Sequence, residues 1–468
     1  MTSDSFPALS APKILRSPRK MPASIPFNIL LPFLCVSLLC GCSSGDKEQS
    51  EPTTATSDQS VSKANSAGGN QQAESVKPTV QFQDIDFEFV KPALSEEELR
   101  EGWISLFDGS SLFGWRSEAD AKWRVEDGSL VADSGEPNLL MYPFSFSDFE
   151  LRCEFKLQEK GNSGVFLRSA AKIKSVKKDT YELNICDDHK SFPTGSFVER
   201  AAVQDVPAVD GDWHSFHIVC NGEKLVVKLD DLMVHDLTDD TEFGRRSGMI
   251  GLQYRSGRIA FRNIFVKPLK TKELFNGKDL AGWHDVPGTE STFEVKDGLL
   301  HAKSGPGFLE TNKTFSDFVL HVEANIKDEK AIADGRPANS GVFFRAMKGT
   351  AKDPSNGYEM QIQHDFKSND RKQPLDFGSG GIYRRLGARY VVADNNEWFT
   401  ETLIAQGNRI ATFVNGYPVL QWVDDRAADK NPRKGQRVEA GHFSLQGHDP
   451  TTDLLFRSLR IHKLPSAN

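Results

Sequence analysis

Apolar and polar positions alternate one by one through many short runs of this chain, the period of a strand with one face in a core. The clearest run is Tyr358-Glu359-Met360-Gln361-Ile362-Gln363-His364-Asp365, preceded by Asn339-Ser340-Gly341-Val342-Phe343-Phe344-Arg345. Tyr358, Met360 and Ile362 share one face of the later run, while Glu359, Gln361, Gln363 and Asp365 share the other. In the earlier run Val342 and Phe344 point inward, which puts Asn339, Phe343 and Arg345 on the opposite side. Carboxylates, amides, an aromatic ring and an arginine on one sheet face suit a polar, hydroxylated ligand. The same pattern occurs once before, as Asn162-Ser163-Gly164-Val165-Phe166-Leu167-Arg168 followed by Tyr181-Glu182-Leu183-Asn184-Ile185-Cys186-Asp187-Asp188. The chain is a tandem repeat.

Trp115 pairs with Trp283 at an offset of 168, the Asn-Ser-Gly-Val-Phe motifs pair at 177, and Phe261-Arg262 pairs with Phe456-Arg457 at 195. Offsets that hold and then step upward mean a shared framework with loops inserted in the second copy. Strands are punctuated by Asp127-Gly128, Asn221-Gly222, Asp297-Gly298 and Asn415-Gly416, dipeptides that supply positive φ for tight hairpins. Only Ser95 to Arg100, with its Ser-Glu-Glu-Glu start, predicts a helical turn. The expectation is all-β: two antiparallel sandwiches, jelly rolls, at 92–270 and 271–468, each with a concave face able to hold a ligand. Trp115 and Trp283 are expected as core anchors.

Composition agrees, with 32 phenylalanines against 7 tyrosines and 37 glycines among 468 residues. A net charge of −8 gives no reason to expect nucleic acid or an anionic membrane as partner. Lys13, Arg16, Arg19 and Lys20 precede an apolar run from Ile25 to Cys40 that has the flanks of a secretory signal. It ends in Leu39-Cys40-Gly41-Cys42, which resembles a bacterial lipobox and marks residues 1–42 as a lipoprotein-type signal, with Cys42 the lipidated residue. Residues 43–91 are polar and read as a disordered tether, reaching about 35–40 Å from the membrane. The expected location is therefore the exported bacterial cell envelope, with the chain lipid-anchored to the outer membrane or cell surface. Cys153, Cys186 and Cys220 allow at most one disulfide, with Cys186 on the polar face of its strand.

Taken in order and found twice, Leu-Phe-Asp/Asn-Gly-x-x-Leu-x-Gly-Trp, Asn-Ser-Gly-Val-Phe-x-Arg, Tyr-Glu-x-x-Ile and a terminal Phe-Arg-x-Ile/Leu resemble the 3-keto-disaccharide hydrolase family. The resemblance spans residues 101–269 and 272–464. It implies concanavalin A-like lectin/glucanase jelly rolls acting on 3-keto-glycosides, and it places motif positions on Arg345, Glu359, Gln361 and Asp365, with Gly381-Ile382-Tyr383 following. The first copy departs, with Asn184 for Gln361, Cys186 for Gln363 and no counterpart of the Tyr383 hydroxyl. Near its end Gln253 and Arg255 stand where the second copy has Gln446 and His448. Chemistry is expected in the second copy, while Arg168 and Glu182 are candidate ligand contacts in the first.

A 3-keto group acidifies the C2 proton, so a base can remove it and the C1 glycosidic oxygen can leave by elimination, with water adding back afterwards. Glu359 or Asp365 are candidate bases, Arg345 or Tyr383 enolate stabilisers, and His448 a proton carrier to the leaving group. Phe343, Gln361, Gln363 and Gln446 are candidate saccharide contacts. The sequence makes no cofactor certain; a divalent cation with Glu359, Asp365 or His364 among its ligands is compatible with it, although the spacing matches no recognisable metal motif. An ordinary glycosidase fits less well, because Glu359 and Asp365 along one strand would stand about 20 Å apart, against roughly 5–9.5 Å for the usual acid pair. A lectin-like protein that binds carbohydrate without cleaving it is the alternative. Structural readings stand beside these: Arg345 and Glu359 as a cross-strand ion pair, Phe343 as filler, and His364 as a core histidine.

Overall fold

A computed structural model describes residues 86–117, 122–431 and 433–466. The signal segment, Cys42 and the tether up to residue 85 lie outside the described residues. Each copy is a sandwich of one large and one five-stranded antiparallel sheet. In the second copy the five-stranded sheet runs, edge to edge, Trp283–Asp285, Gly307–Thr311, His442–Gly447, Ser340–Met347 and Asn356–Ile362. Behind it the large sheet is built around Asp453–Lys463, Phe318–Ile326 and Phe399–Gln406. The first copy repeats this order strand for strand, with Asn162–Ser169 beside Tyr181–Ile185.

The alternation predicted from sequence explains the layers. Val342, Phe344, Tyr358, Met360 and Ile362 all enter the inter-sheet core of the second copy, each fully buried large side chain stabilising by roughly 1.5–3 kcal/mol. Trp115 and Trp283 are buried, and their indole N–H groups donate to Leu106 O and Leu274 O at 2.7 and 2.9 Å. Asp127-Gly128, Asp297-Gly298 and Asn415-Gly416 turn with positive φ at both residues, as their composition predicts. Ser95 caps a helix at Glu96–Glu101 through a reciprocal box with Glu98.

Residues 86–91, expected from composition to belong to the tether, are placed against the second copy instead. Phe89 stacks on Tyr390 at 4.5 Å, and the Arg389 guanidinium lies 3.7 Å from the Phe87 ring centre. These two aromatics interrupt the polar composition and anchor the segment to the second copy. Cys153, Cys186 and Cys220 are all free and buried; Cys186 follows the end of its strand instead of sitting on a polar face. Among the described residues no helix is long and apolar enough to cross a membrane.

Candidate active site

The register of the second copy's five-stranded sheet puts Glu359, Phe343, Ser444, Glu310 and His284 in one row, each opposite the next on a neighbouring strand. The adjacent row holds Gln361, Gly341, Gln446 and Phe308. Side chains in these rows point away from the core, since the intervening residues Met360, Val342 and Leu445 fill it. Gly341 is needed here: a Cβ at this position would meet the Glu359 Oε1 at 2.9 Å, so the glycine leaves room for the carboxyl.

Glu359 lines a cavity of about 320 Å³ together with Phe343, Tyr383 and the basic side chains of Arg384, Arg385, Arg433 and Lys434. The volume suits a small ligand. Burial pushes the Glu359 carboxyl up to about 8, with Arg433 opposing this, Asp376 adding to it and Arg384 opposing it. It is therefore largely protonated at neutral pH. Tyr383 is fixed beside it because its amide donates to Glu359 O at 2.9 Å, and its ring meets Phe377 edge-on at 5.3 Å. Further along the face, Gln361 Oε1, Ser444 Oγ and Gln446 Oε1 are buried without a hydrogen-bond partner, while Glu310 Oε1 lies 3.3 Å from His284 Nε2. Unpaired buried polar atoms are costly, and a row of them on one face is suited to receiving hydroxyl groups or water.

Of the residues expected from sequence, Glu359, Tyr383 and Phe343 meet in this cavity, with Gln361 and Gln446 in the next row. Phe343 is only 1% exposed and packs edge-on against Phe308 at 5.3 Å, so it forms the cavity wall and is not an open stacking platform.

Arg345 is not in the site. The strand bulges after Phe344, Arg345 takes φ +49°, and its side chain is fully buried. There it donates to Ser316 O, Gly407 O and Arg437 O and pairs with Asp317 at 3.1 Å. One extra residue in the strand reverses the alternation on which its expected direction rested. It forms no ion pair with Glu359 either. Arg168 is the same clamp in the first copy, with φ +49° and bonds to Ser147 O, Gly222 O, Arg245 O and Asp148.

Asp365 and Gln363 lie past the strand's end at Ile362, where they hydrogen-bond to each other and do not line the cavity. His448 falls beyond Gly447, exposed, with its ring nitrogen 3.0 Å from Asp449 Oδ2. His364 is buried, paired with Ser379 Oγ at 2.9 Å, and held down at about 4 by its burial. Glu359, Asp365 and His364 thus do not converge on a common point, and among the described residues no cluster of three or more His, Cys, Asp or Glu is placed for a metal.

In the first copy Glu182 accepts from Gln253 Nε2 at 3.0 Å. Arg116, Met141 and Gly251 occupy the register positions of His284, Glu310 and Ser444. Met141 lies over Gly251, its sulfur 2.5 Å from where a Cβ would be. The middle of the polar row is replaced by an apolar plug.

Sequence reasoning missed Glu310, Ser444 and the four cations. Glu310 was accessible through the repeat, because the offset at this strand sets it against Met141. The cations occupy loops, where no periodicity marks direction.

The model of the 3-keto-alpha-glucoside-1,2-lyase-like domain matches residues 102–267 and again 270–462. The chain belongs to this family. A 3-keto-disaccharide hydrolase of Bacteroides thetaiotaomicron is 27% identical over 230 residues, covering 36% of this chain and 79% of that protein. A crystal structure from Parabacteroides distasonis, described as that of a candidate glycosyl hydrolase, shares 20% identity and covers 38% of this chain and 99% of its own, with a TM-score of 0.34. The carbohydrate-binding module CBM66 from Bacillus subtilis shares 18% identity over 33% of this chain and 95% of its own, with a TM-score of 0.27. Family membership assigns the chain a carbohydrate-active, glycoside-cleaving type of function.

Proposed function

We propose that the second copy cleaves 3-keto-glycosides by elimination, with Glu359 as the proton-transferring group. The observation that carries this reading is a buried carboxyl poised at about 8 inside a cavity also lined by Tyr383 and four cationic side chains. A base whose pKa lies near the working pH suits removal of a C2 proton activated by the neighbouring carbonyl. The deprotonated Glu359 takes that proton, and charge moves onto the C3 oxygen. Tyr383 and Arg384 or Arg433 stabilise the enolate in the role first expected of Arg345. The enolate re-forms its carbonyl as the C1–O bond breaks, the departing oxygen takes up a proton, and water then adds across C1–C2.

Direct hydrolysis by paired carboxylates has less support. Glu310 shares the row with Glu359, but it does not line the cavity, and its carboxyl is engaged by His284 Nε2 at 3.3 Å and by the Gly349 amide at 3.0 Å.

Incubating the full chain with a 3-keto-disaccharide and with its unoxidised parent, with and without chelator, tests the reading by mass spectrometry of the products. Cleavage of the keto sugar alone, lost in Glu359→Gln, is expected. Cleavage of both sugars would overturn the elimination mechanism, and saturable binding without any product would make the protein a lectin-like binder. Export and lipid anchoring at Cys42 belong to the same proposal; a diacylated N-terminal peptide beginning at Cys42 is expected in the membrane fraction of the producing cell.

A further inference from the structure

We propose that the saccharide taken by the second copy carries an anionic group, a carboxylate or a sulfate ester, held by Arg384, Arg385, Arg433 and Lys434. The inference rests on the preceding reading that this cavity is the saccharide site, and it adds the substrate's charge.

Four cationic side chains line one small cavity, and among the described residues none of them is in an ion pair. Arg384 is exposed, with its guanidinium 5.2 Å from the Tyr383 ring centre. Arg385 donates only to the carbonyl of Arg384. Arg433 donates to Ser355 O, an uncharged partner. The carboxyl in the cavity, Glu359, is mostly protonated at neutral pH and does not balance them. Nearby Asp376 is engaged by the amides of Asn339 and Gln361. Four cations beside a single nearby carboxylate repel one another, a cost that a bound anion would reduce.

The first copy is an internal control. Val198 and Tyr383 are equivalent, since each amide donates to the backbone carbonyl of its copy's motif glutamate, Glu182 or Glu359. The next two residues are Glu199 and Arg200 in the first copy, Arg384 and Arg385 in the second. Arg384 has therefore replaced a glutamate while keeping its φ of +58°. Arg200 is neutralised by Asp239 at 2.7 Å. The counterpart of Asp239 is Asp424, because each accepts the hydroxyl of the equivalent tyrosine, Tyr181 or Tyr358. Asp424, however, pairs with Arg426 at 2.7 Å, which leaves Arg385 free to face the cavity.

Arg245 and Arg437 are equivalent as well, since their amides donate to the hydroxyls of the equivalent tyrosines Tyr181 and Tyr358. The stretch from Asp424 to Arg437 is seven residues longer than that from Asp239 to Arg245, and it carries Arg433 and Lys434. Substitution, re-pairing and insertion thus each add positive charge at one place in one copy. A loop exposed only for solubility would have no need of all three. Guanidinium groups bind carboxylates and sulfates in two-point geometry, which supports a group fixed on a sugar ring.

Calorimetry on the full chain would compare cellobiose, the corresponding cellobiouronic acid and cellobiose 6-sulfate at 50 and 500 mM NaCl. The expected result is at least about tenfold tighter binding of one charged sugar over cellobiose at low salt, with the preference falling sharply at high salt as screening shortens. Arg384→Glu, which restores the first copy's residue, is expected to reduce the preference at least about fivefold, as is the double variant Arg433→Gln/Lys434→Gln. All three positions are exposed, so folding is preserved. Preference for the uronate identifies a carboxylate ligand and preference for the sulfate a sulfated one; either supports the proposal. Equal binding of neutral and charged sugars, or a preference that neither variant changes, overturns it.

Turnover separates the two readings. If a neutral 3-keto-disaccharide is cleaved through Glu359 but charge confers no advantage, the charge proposal alone falls. A charge preference lost in Arg384→Glu without cleavage of any keto sugar removes the catalytic reading and leaves the anion site standing.

Discussion

Glu359 holds its proton to about pH 8 because it is buried, so its removal acts on stability and turnover in opposite directions. Its folded value lies above its ordinary 4.5, so the folded state binds more protons between those values, and stability falls as pH climbs from about 4.5 to about 8. Glu359→Gln is isosteric and does not ionise. It is expected to abolish turnover while raising stability at pH 8 by on the order of 1–3 kcal/mol, with no gain near pH 4; melting curves across that range check it. If the carboxylate is the base, wild-type kcat/KM rises with pH and levels near 8, whereas a fall above 8 would assign Glu359 the role of acid. Glu401 obeys the same rule without any site. It stands between Val322 and Val414 on the core face of its strand, fully buried, with its pKa raised by burial and only the Gly380 amide opposing this. The equivalent register position in the first copy, between Cys153 and Leu229, holds Phe216. Glu401→Gln is expected to stabilise the protein above about pH 5 by on the order of 1–3 kcal/mol, read as a higher denaturant midpoint at pH 7 than at pH 4 relative to wild type.

The bulge that carries Arg345 shows how a single strand can be legible and misleading at once. Alternation correctly placed Val342, Phe344, Tyr358 and Met360 in the core and Glu359 outside it, because those residues lie where pairing is regular. Past Phe344 the register shifts, and the backbone of Arg345 is met so closely by Gly441 that a Cβ there would lie 2.3 Å from its carbonyl carbon. Sequence alone carries no period for one inserted residue, so the arginine's turn into the interior was not visible. The repeated motif was visible, and it fits a clamp that both copies need whether or not they bind anything. Arg345→Met should therefore cost about 3–5 kcal/mol by leaving Asp317 without its cation, with only the Gly407 amide still donating to it, and three carbonyls without their donor. The folded fraction should retain saccharide affinity. Chemical denaturation together with binding measured per folded molecule checks this, and a well-folded variant that has lost only turnover would return Arg345 to the chemistry.

The two copies do not fold as separate beads. Val319, Ile404, Ala411 and Phe413 of the second copy join the first copy's hydrophobic cluster, and Gln406 exchanges hydrogen bonds with the backbone of Ser145. Asp108 shows what repetition conceals. It belongs to the Leu-Phe-Asp-Gly motif whose counterpart is Asn276, and the motif announces only a turn. In the folded protein its buried carboxylate receives Arg389 of the second copy at 2.9 Å, with the guanidinium 3.7 and 4.2 Å from the ring centres of Phe87 and Phe113. A motif shared by two copies can report what they have in common but not where one touches the other, which is why the fold of each copy was legible and their junction was not. Removing one partner leaves a buried charge without compensation, so Asp108→Ala is expected to cost about 3–5 kcal/mol. Asp108→Asn keeps a hydrogen-bond acceptor and should cost less. Because the junction is shared core as well as an ion pair, the wild-type protein should unfold in one calorimetric transition across both copies. Phe413→Ala opens that core and should both destabilise, by about 3–5 kcal/mol, and separate the transition into two. Two transitions already present in the wild type would show that the copies are thermodynamically independent despite their contact, and the first copy would then have no stabilising part in holding the second copy's cavity in shape.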